Sequence, residues 1–503
     1  MLTGGGIWSK ILSMKNALCI ILSILYAMLF AGLWRYSYAG IAVAAGLCLG
    51  FAALFCLARL KLRAIPTKAQ TASLLIWTGA LFLCFLAAGL YMSVEPYSDW
   101  AALYCGAKEV LKSGSLKESG EMLYYYRENK MLLHEYFLVY PHNIFPMLYL
   151  AGFFALFSAS LRTGIALSAL SIALALFFAA QAARKARGFR AALIVMLFGT
   201  AFLPFYLNAH RFYTDTLCLP WFSLFIWQYA RMTEGEKGAA LLAAAALAVA
   251  AMLRMNLLIF AVAAVLALPI SSRGFRRALP RLAAFAALLL LLVGGGTLAA
   301  ERGGAVDSAA LAEQRFPKTH WLMMASVGDG GYRQEDFEFT RAAENKAQAT
   351  REEYRRRVGD YGSLGEYLRF MARKLLTACS DGTMTQQNHL RLSNIGALGN
   401  FALPEGEHHA LFLLYIRTLY MFMYALLPVC VIAGIWKKNC GAELMLYAGF
   451  IGTLIFFAFW ELKSRYLLPL APVYFILAAL SADYLAEKGN EKWKKFAKLP
   501  RRR

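Results

Sequence analysis

The most constraining feature of the sequence is a long succession of apolar stretches, most of them close to the length that crosses a lipid bilayer. About 20 consecutive apolar residues cross the hydrocarbon core as an α-helix, and a chain inside lipid must satisfy its backbone hydrogen bonds internally. The pattern therefore predicts an all-α membrane protein with about 12 transmembrane helices. We place these helices at residues 17–34, 40–58, 71–93, 163–183, 190–208, 217–231, 238–253, 256–269, 281–300, 411–435, 441–459 and 466–483.

The composition agrees with a membrane protein and excludes several other classes. Of the 503 residues, 60% are hydrophobic and only 16% are charged, and the mean hydropathy is +0.50. An ordinary soluble domain has about 25% charged residues. The chain is therefore neither a disordered protein nor a typical cytosolic enzyme. Its nine cysteines are too sparse for a small disulfide-stabilised scaffold.

The net charge of +22 is largely carried by basic segments between and after the apolar stretches. Short loops rich in Lys and Arg mark the cytoplasmic side of a membrane protein. These segments share one side only if a further apolar stretch, 143–157, does not cross. We therefore predict an outer juxtamembrane or re-entrant helix there, both termini in the cytoplasm, anionic lipid headgroups as partners and no nucleic-acid binding. The segments are 59–68, 184–190, 273–281, 437–438 and 484–503.

This topology divides the chain into five parts and places two long loops outside. Cys105 and Cys379 lie in those two loops, and their spacing alone neither predicts nor excludes a disulfide. The predicted parts are two accessory helices (1–70), a core module (71–300) with an outer loop (94–142) and the helix 143–157, a mainly helical extracellular loop region (301–410), the C-terminal helices (411–483) and a basic cytoplasmic tail (484–503).

Two outer acidic residues are candidate functional groups. Asp99 follows the predicted span 71–93, and Asp215 ends a polar run that contains His210 and Arg211. Ionisable residues at the membrane face are costly and therefore mark functional sites. The alternative for each aspartate is a helix N-cap, because a short carboxylate satisfies the free amide groups of a first turn.

Two further outer positions combine arginine with other polar groups. Arg254 lies at a tight turn, where its side chain could instead extend to the lipid headgroups. Glu461 and Arg465 are four residues apart, so on a helix they would share a face, and the alternative is a simple surface ion pair. His320 lies in an outer-loop run that precedes a glycine-rich turn at 328–331.

The sequence contains neither a metal-binding nor a nucleotide-binding signature. It has no paired cysteine motif, no helical His pair with Glu, no P-loop and no dinucleotide fingerprint. The sequence therefore predicts no certain cofactor, and it leaves a divalent cation open without indicating one.

The order of these motifs resembles the GT-C superfamily of polytopic membrane glycosyltransferases over about residues 71–483. The resemblance lies in the acidic motif at Asp99, the run Tyr140-Pro141-His142-Asn143, the second acid Asp215, and the run from Glu461 through Lys463, Arg465, Tyr466 and Leu467 to Pro469. The runs His320-Trp321-Leu322-Met323-Met324, Gly330-Gly331-Tyr332 and Asp381-Gly382-Thr383 resemble a Gram-positive bacterial branch.

The resemblance implies transfer of a sugar from a polyprenyl-phosphate carrier such as undecaprenyl phosphate. The acceptor would be an envelope glycan, a lipid or a protein on the extracytoplasmic face of a bacterial cell membrane. Asp99 would be the general base, Asp215 the second acidic residue and Arg465 the ligand of the lipid phosphate. Other candidate substrate-binding residues are Arg254, Arg211, His210, Glu461, Tyr466, His142 and His320. The acidic motif is Ser98-Asp99-Trp100 and not a paired acid, which argues against a metal site.

Three other classes stay open from the sequence. A transporter or flippase suits about 12 spans, but usually has ionisable groups near the bilayer midplane and internal repeats. A glycan polymerase or ligase also has one large outer loop, and we expect it to rely on Arg and His more than on an aspartate after a span. An inactive structural membrane protein is the third alternative.

Overall fold

The computed structural model of the protein is almost entirely helical. It describes residues 17, 20–34, 46, 48–50, 52–53, 65–117, 119–125, 129–271, 275–384, 390, 396–429, 432–433 and 442–497. In chain order the helices are α1 (Ile20–Trp34), α2 (Thr67–Tyr91), α3 (Ser98–Ser113), α4 (Leu133–Val139), α5 (Ile144–Leu156), α6 (Leu161–Arg187), α7 (Phe189–Ala201), α8 (Leu203–Asn208), α9 (Thr214–Leu217), α10 (Leu219–Thr233), α11 (Ala239–Leu253), α12 (Ile259–Ser271), α13 (Phe275–Arg302), α14 (Ser308–Gln314), α15 (Lys318–Met324), α16 (Gln334–Ala342), α17 (Lys346–Gly359), α18 (Leu364–Ser380), α19 (Gly399–Ala402), α20 (His409–Leu426), α21 (Ala442–Phe459) and α22 (Ala471–Ala497).

Six helices of the described residues are long and apolar enough to cross a membrane, which confirms the all-α membrane fold. They are Thr67–Tyr91, Leu161–Arg187, Ala278–Arg302, His409–Leu426, Ala442–Phe459 and Ser464–Lys488. Four shorter apolar helices, Ile20–Trp34, Phe189–Ala201, Ala239–Leu253 and Met255–Ser271, coincide with further predicted spans. The predicted span 40–58 lies mostly outside the described residues, and the helix at the predicted span 217–231, Leu219–Thr233, belongs to neither group. A total of about 12 spans therefore stays a prediction.

The helices differ in how deeply they lie within the bundle. Most of Ser464–Lys488 is buried, whereas Ala278–Arg302 lies almost entirely on the surface. Helix α6 packs closely against the loop after α8. A Cβ atom at Gly164 would lie 2.5 Å from the ring of Phe212, so this contact requires glycine. The most buried span and this tightly packed loop both lead into the candidate site.

The two long loops, 94–142 and 301–410, pack against one another through backbone hydrogen bonds. Leu116 N donates to Ala305 O at 2.8 Å, and Phe316 N donates to Val139 O at 3.3 Å. The loop 94–142 contains a feature that the sequence did not predict, an antiparallel hairpin of β1 (Met122–Tyr125) and β2 (Asn129–Leu132). The described part of 301–410 is mainly helical, as expected.

The apolar stretch 143–157 forms the second arm of a sharply bent helix pair. Leu133–Val139 and Pro141–Leu156 meet at 110°. The bend falls at Tyr140, the residue before a proline, where the proline ring disfavours the helical conformation. A 110° bend is compatible with a broken span or a re-entrant loop, so the outer juxtamembrane position of 143–157 stays a prediction.

We expect Gly120→Cys, Ala159→Cys and Lys318→Cys to react with an impermeant thiol reagent added outside intact cells. All three side-chain positions are exposed, and all three lie outside if 143–157 does not cross. The measurement is labelling of each variant relative to the parent protein. Labelling of Ala159→Cys only after lysis would contradict the topology.

Candidate active site

Asp99 lies in the first turn of α3, beside two groups from distant parts of the chain. Tyr97 is the residue before this helix, so Asp99 is not its N-cap, and the N-terminus of α3 favours the ionised carboxylate. The hydroxyl of Tyr136 donates to Asp99 Oδ1 at 3.1 Å. Arg465 Nη2 lies 3.6 Å from Asp99 Oδ2. The aspartate side chain is 27% exposed, so it is both held in place and accessible.

The motif at 140–143 is linked to Asp99 through Tyr136. Asn143 Nδ2 donates to the Tyr136 hydroxyl, which in turn donates to the aspartate. Asn143 lies in a short 3-10 helix, Pro141–Asn143, and its neighbour His142 is exposed. The His142 ring contacts the rings of Tyr140 and Trp321 at centroid distances of 6.0 and 5.8 Å. His142 therefore lies between the bend and the outer loop region.

Asp215 and Arg254 form a second carboxylate–guanidinium pair. Asp215 lies in the single-turn helix α9, and Arg254 is the C-cap residue directly after α11. Arg254 Nη1 is 3.1 Å from Asp215 Oδ1, and the two side chains are 15% and 5% exposed. The arginine therefore points into the protein and does not extend to the headgroups.

The expected helical pairing of Glu461 with Arg465 is wrong. Helix α21 ends at Phe459, and the chain becomes helical again only at a 3-10 helix, Ser464–Leu470. Glu461 Oε1 accepts a hydrogen bond from the Tyr466 hydroxyl at 2.8 Å, whereas Arg465 turns towards Asp99. The neighbouring residues Arg465 and Tyr466 thus contact different carboxylates, those of Asp99 and Glu461.

Three arginines and two tyrosines form a continuous row, in which Arg465 contacts Asp99 and Arg254 contacts Asp215. The Tyr213 ring centroid is 5.2 Å from Arg211 Cζ and 5.6 Å from Arg465 Cζ. The Tyr466 ring centroid is 5.3 Å from Arg465 Cζ and 4.5 Å from Arg254 Cζ. Guanidinium groups over aromatic faces are favourable, and the rings keep these like charges apart.

This arginine cluster (Arg211, Arg254 and Arg465) carries more charge than its two aspartates balance. Burial and the neighbouring Arg465 lower the pKa of Arg211 to about 10, so it stays charged at neutral pH. Arg465 Nε is buried and has no hydrogen-bond partner among the described residues. The cluster can therefore accept an anion, and arginine matches phosphate oxygens well.

Two predicted substrate-binding histidines, His210 and His320, pack in the interior. His210 is fully buried beside Trp100, and burial lowers its pKa to about 3. His320 is 1% exposed, its Nδ1 lies 2.7 Å from Thr340 Oγ1, and burial lowers its pKa to about 4. Both are neutral at pH 7, and the expectation that they contact substrate stays a prediction.

Cys105 and Cys379 are both free thiols, so no disulfide joins these two residues. Within the described ranges, no group of three or more His, Cys, Asp or Glu side chains could hold a metal ion.

An apolar groove opens near the C-terminal end of α2, close in sequence to Asp99. Its volume is about 470 Å³. Its walls come from the end of α2, from α8 and from the start of α20, and they include Tyr91, Met92, Leu203, Tyr206, Phe412 and Tyr415. Such a groove suits a hydrocarbon chain.

Two tyrosines of the candidate site were missed by the sequence analysis. Tyr136 holds Asp99, and Tyr213 separates two arginines of the cluster. Tyr213 lies within the polar run around Asp215, two residues after Arg211, and this proximity could have indicated a contact between them. Nothing near Tyr136 in the sequence indicates its contact with a residue 37 positions earlier.

Comparison with known proteins gives a family match and remote structural neighbours. One neighbour is the crystal structure of ArnT from Cupriavidus metallidurans bound to undecaprenyl phosphate. It is 13% identical, the TM-score is 0.36, and the match covers 83% of this chain and 79% of that one. No curated protein matches the sequence. A family model matches residues 125–486, and the chain therefore belongs to the family described as conserved hypothetical integral membrane protein.

Proposed function

We propose that this protein is a membrane glycosyltransferase that moves a sugar from a polyprenyl-phosphate carrier to an extracytoplasmic acceptor. The observation that carries the proposal is the position of Asp99 beside the arginine cluster. A transferase of this kind needs a carboxylate to accept a proton and cations to receive a departing phosphate. The GT-C-like order of the sequence motifs supports the same reaction.

In the proposed reaction, the acceptor hydroxyl oxygen attacks the anomeric carbon of the donor sugar. Asp99 accepts the hydroxyl proton while the bond between that carbon and the phosphate oxygen breaks. The electron pair of the broken bond leaves with the polyprenyl phosphate. A single direct displacement inverts the anomeric configuration.

The leaving phosphate needs positive charge more than it needs a proton. Arg465 lies nearest to Asp99, and Arg254 and Arg211 continue the cluster away from it. Preorganised donors in a partly dry site stabilise developing negative charge strongly, because they need no reorganisation during the reaction. Asp215 is 3.1 Å from Arg254, so its proposed role is to hold that arginine.

Two further features suit a lipid-linked donor. The apolar groove beside α2 would hold part of the polyprenyl chain. The outer loop region would cover the acceptor and exclude water, which would otherwise hydrolyse the donor. The acceptor would be an envelope glycan, a lipid or a protein, and the location a bacterial cytoplasmic membrane.

The experiment is donor consumption by the purified protein in nanodiscs. A panel of hexosyl and pentosyl polyprenyl phosphates is incubated with an envelope fraction as the source of acceptor, and lipid products are measured by mass spectrometry. The expected result is polyprenyl monophosphate formed from one donor. Release of a pyrophosphate from a lipid-linked oligosaccharide would instead favour a polymerase or ligase, and an intact donor in every reaction would contradict transfer.

A further inference from the structure

The segment 460–466, which carries Arg465, depends on the outer loop region for its backbone hydrogen bonds. Between the end of α21 and the 3-10 helix Ser464–Leu470, residues 461–463 are not helical. Such residues cannot satisfy all their polar groups within their own helix, and unsatisfied groups away from water are costly. Other parts of the chain must therefore supply partners.

Lys374 of α18 supplies one partner. Its Nζ donates to Trp460 O at 3.2 Å and to Ala325 O at 3.1 Å, so one ammonium group joins the segment to the end of α15. The side chain is 5% exposed. Burial lowers the pKa of Lys374 to about 8, which leaves it mostly protonated at neutral pH.

The glycine-rich turn after α15 supplies a second partner. Leu462 N donates to Gly330 O at 3.1 Å. Gly330 has a φ of +74°, and a Cβ atom there would lie 2.0 Å from Lys374 Cδ. Glycine is therefore required at position 330 both for the backbone conformation and for the close packing of the Lys374 side chain against it.

Asp381, at the end of α18, supplies the third partner. Its Oδ2 accepts a hydrogen bond from Ser464 Oγ, the residue directly before Arg465. Its Oδ1 accepts from the backbone N–H of Thr383 at 3.0 Å, which fixes the carboxylate. Three contacts from the outer region thus reach residues 460, 462 and 464.

We propose that Lys374 and Asp381 are positioning residues, which hold the segment 460–466 so that Arg465 faces the donor phosphate. The inference rests on the function proposed above, and it gives a role to the runs at 328–332 and 381–383. Neither residue touches the donor or the reacting atoms. They act through the backbone and through Ser464, which together set the place of the guanidinium.

The test compares Lys374→Met with Lys346→Met. Methionine keeps the apolar stem and removes the ammonium group. Lys346 Nζ also donates to a carbonyl oxygen, Glu313 O at 3.0 Å, but this hydrogen bond is exposed and the side chain does not contact residues 460–466. We expect Lys374→Met to raise the donor KM about tenfold, because a displaced arginine binds the donor phosphate less well. The acceptor KM should not change, nor should either constant in Lys346→Met.

A double-mutant cycle with Arg465→Ala shows whether Lys374 acts through that arginine. If it does, adding Lys374→Met to Arg465→Ala should lower donor use little further, because the guanidinium that Lys374 positions is already absent. If the two residues act independently, the double variant should instead show the product of the two single losses. A general loss of folding would lower kcat by reducing active protein and would leave the KM values unchanged. Multiplying losses, or an unchanged donor KM in Lys374→Met, would overturn the inference.

Hydrogen exchange tests the positioning without any donor. The peptide covering 460–466 should exchange faster in Lys374→Met than in the wild type, and at the wild-type rate in Lys346→Met. Unchanged exchange would overturn the positioning role. If exchange rises while wild-type protein neither consumes any donor nor binds farnesyl monophosphate, the transferase proposal fails and only the structural link remains.

Discussion

Asp99→Asn is expected to lower sugar transfer about 100-fold or more, which is within the usual range for loss of a general base. The amide cannot accept the proton of the acceptor hydroxyl. It keeps the size of the carboxylate and an oxygen that accepts from Tyr136, which donates at 3.1 Å. We therefore expect a nearly unchanged melting temperature. The measurement is transfer in nanodiscs, with thermal unfolding of the same preparation.

Asp307→Asn is the matched control for this change. Asp307 is the N-cap of α14, is exposed, and accepts from Ala309 N and Ala310 N. Asparagine caps a helix about as well as aspartate does, so transfer should stay at the wild-type rate. Folded Asp99→Asn protein with full activity would show that Asp99 is not the base, and Asp215 would become the leading candidate.

Arg465→Ala is expected to weaken donor use by about 100-fold, since removing a charge-assisted hydrogen bond from a partly dry site costs a few kcal/mol. Arg254→Ala should have the smaller effect. Arg254 is engaged by Asp215 at 3.1 Å, whereas Arg465 lies 3.6 Å from Asp99 and its Nε has no hydrogen-bond partner among the described residues. Arg465, which has the weaker internal partners, therefore has more hydrogen-bonding capacity left for a phosphate.

Arg465→Lys separates the geometry of the guanidinium from its charge. Lysine keeps the charge but cannot present two parallel N–H groups, so activity should fall between that of wild type and Arg465→Ala. Arg315→Ala, which removes an exposed pair with Glu301, is the control. The measurement is the rate of transfer as a function of donor concentration for all four arginine variants. Wild-type transfer by both Arg465→Ala and Arg254→Ala would show that neither residue holds the phosphate.

The membrane fold was predictable because lipid imposes a strong rule on sequence. A span such as Leu161–Arg187 must be apolar along its length, and its basic last turn marks an end. Features that depend on local pairing carried no such signal. The hairpin of β1 and β2 consists of four-residue strands and lies outside the predicted spans.

The site was predictable in its charged residues but not in its contacts. The sequence indicated Asp99, Asp215, Arg254 and Arg465, because ionisable groups near a membrane face are rare. It placed Glu461 and Arg465 on one helix, but α21 ends at Phe459. The bond from Tyr136 to Asp99 joins residues 37 positions apart, so only tertiary structure reveals it.

The most direct test of the central claim is the chemistry of the product made by wild-type protein from a donor labelled with ¹³C at the anomeric carbon. Nuclear magnetic resonance gives the anomeric configuration of the product, and mass spectrometry gives the released lipid. Direct displacement at the Asp99–arginine site predicts an inverted linkage and one polyprenyl monophosphate per sugar transferred. A retained configuration, or transfer without release of a monophosphate, would contradict it.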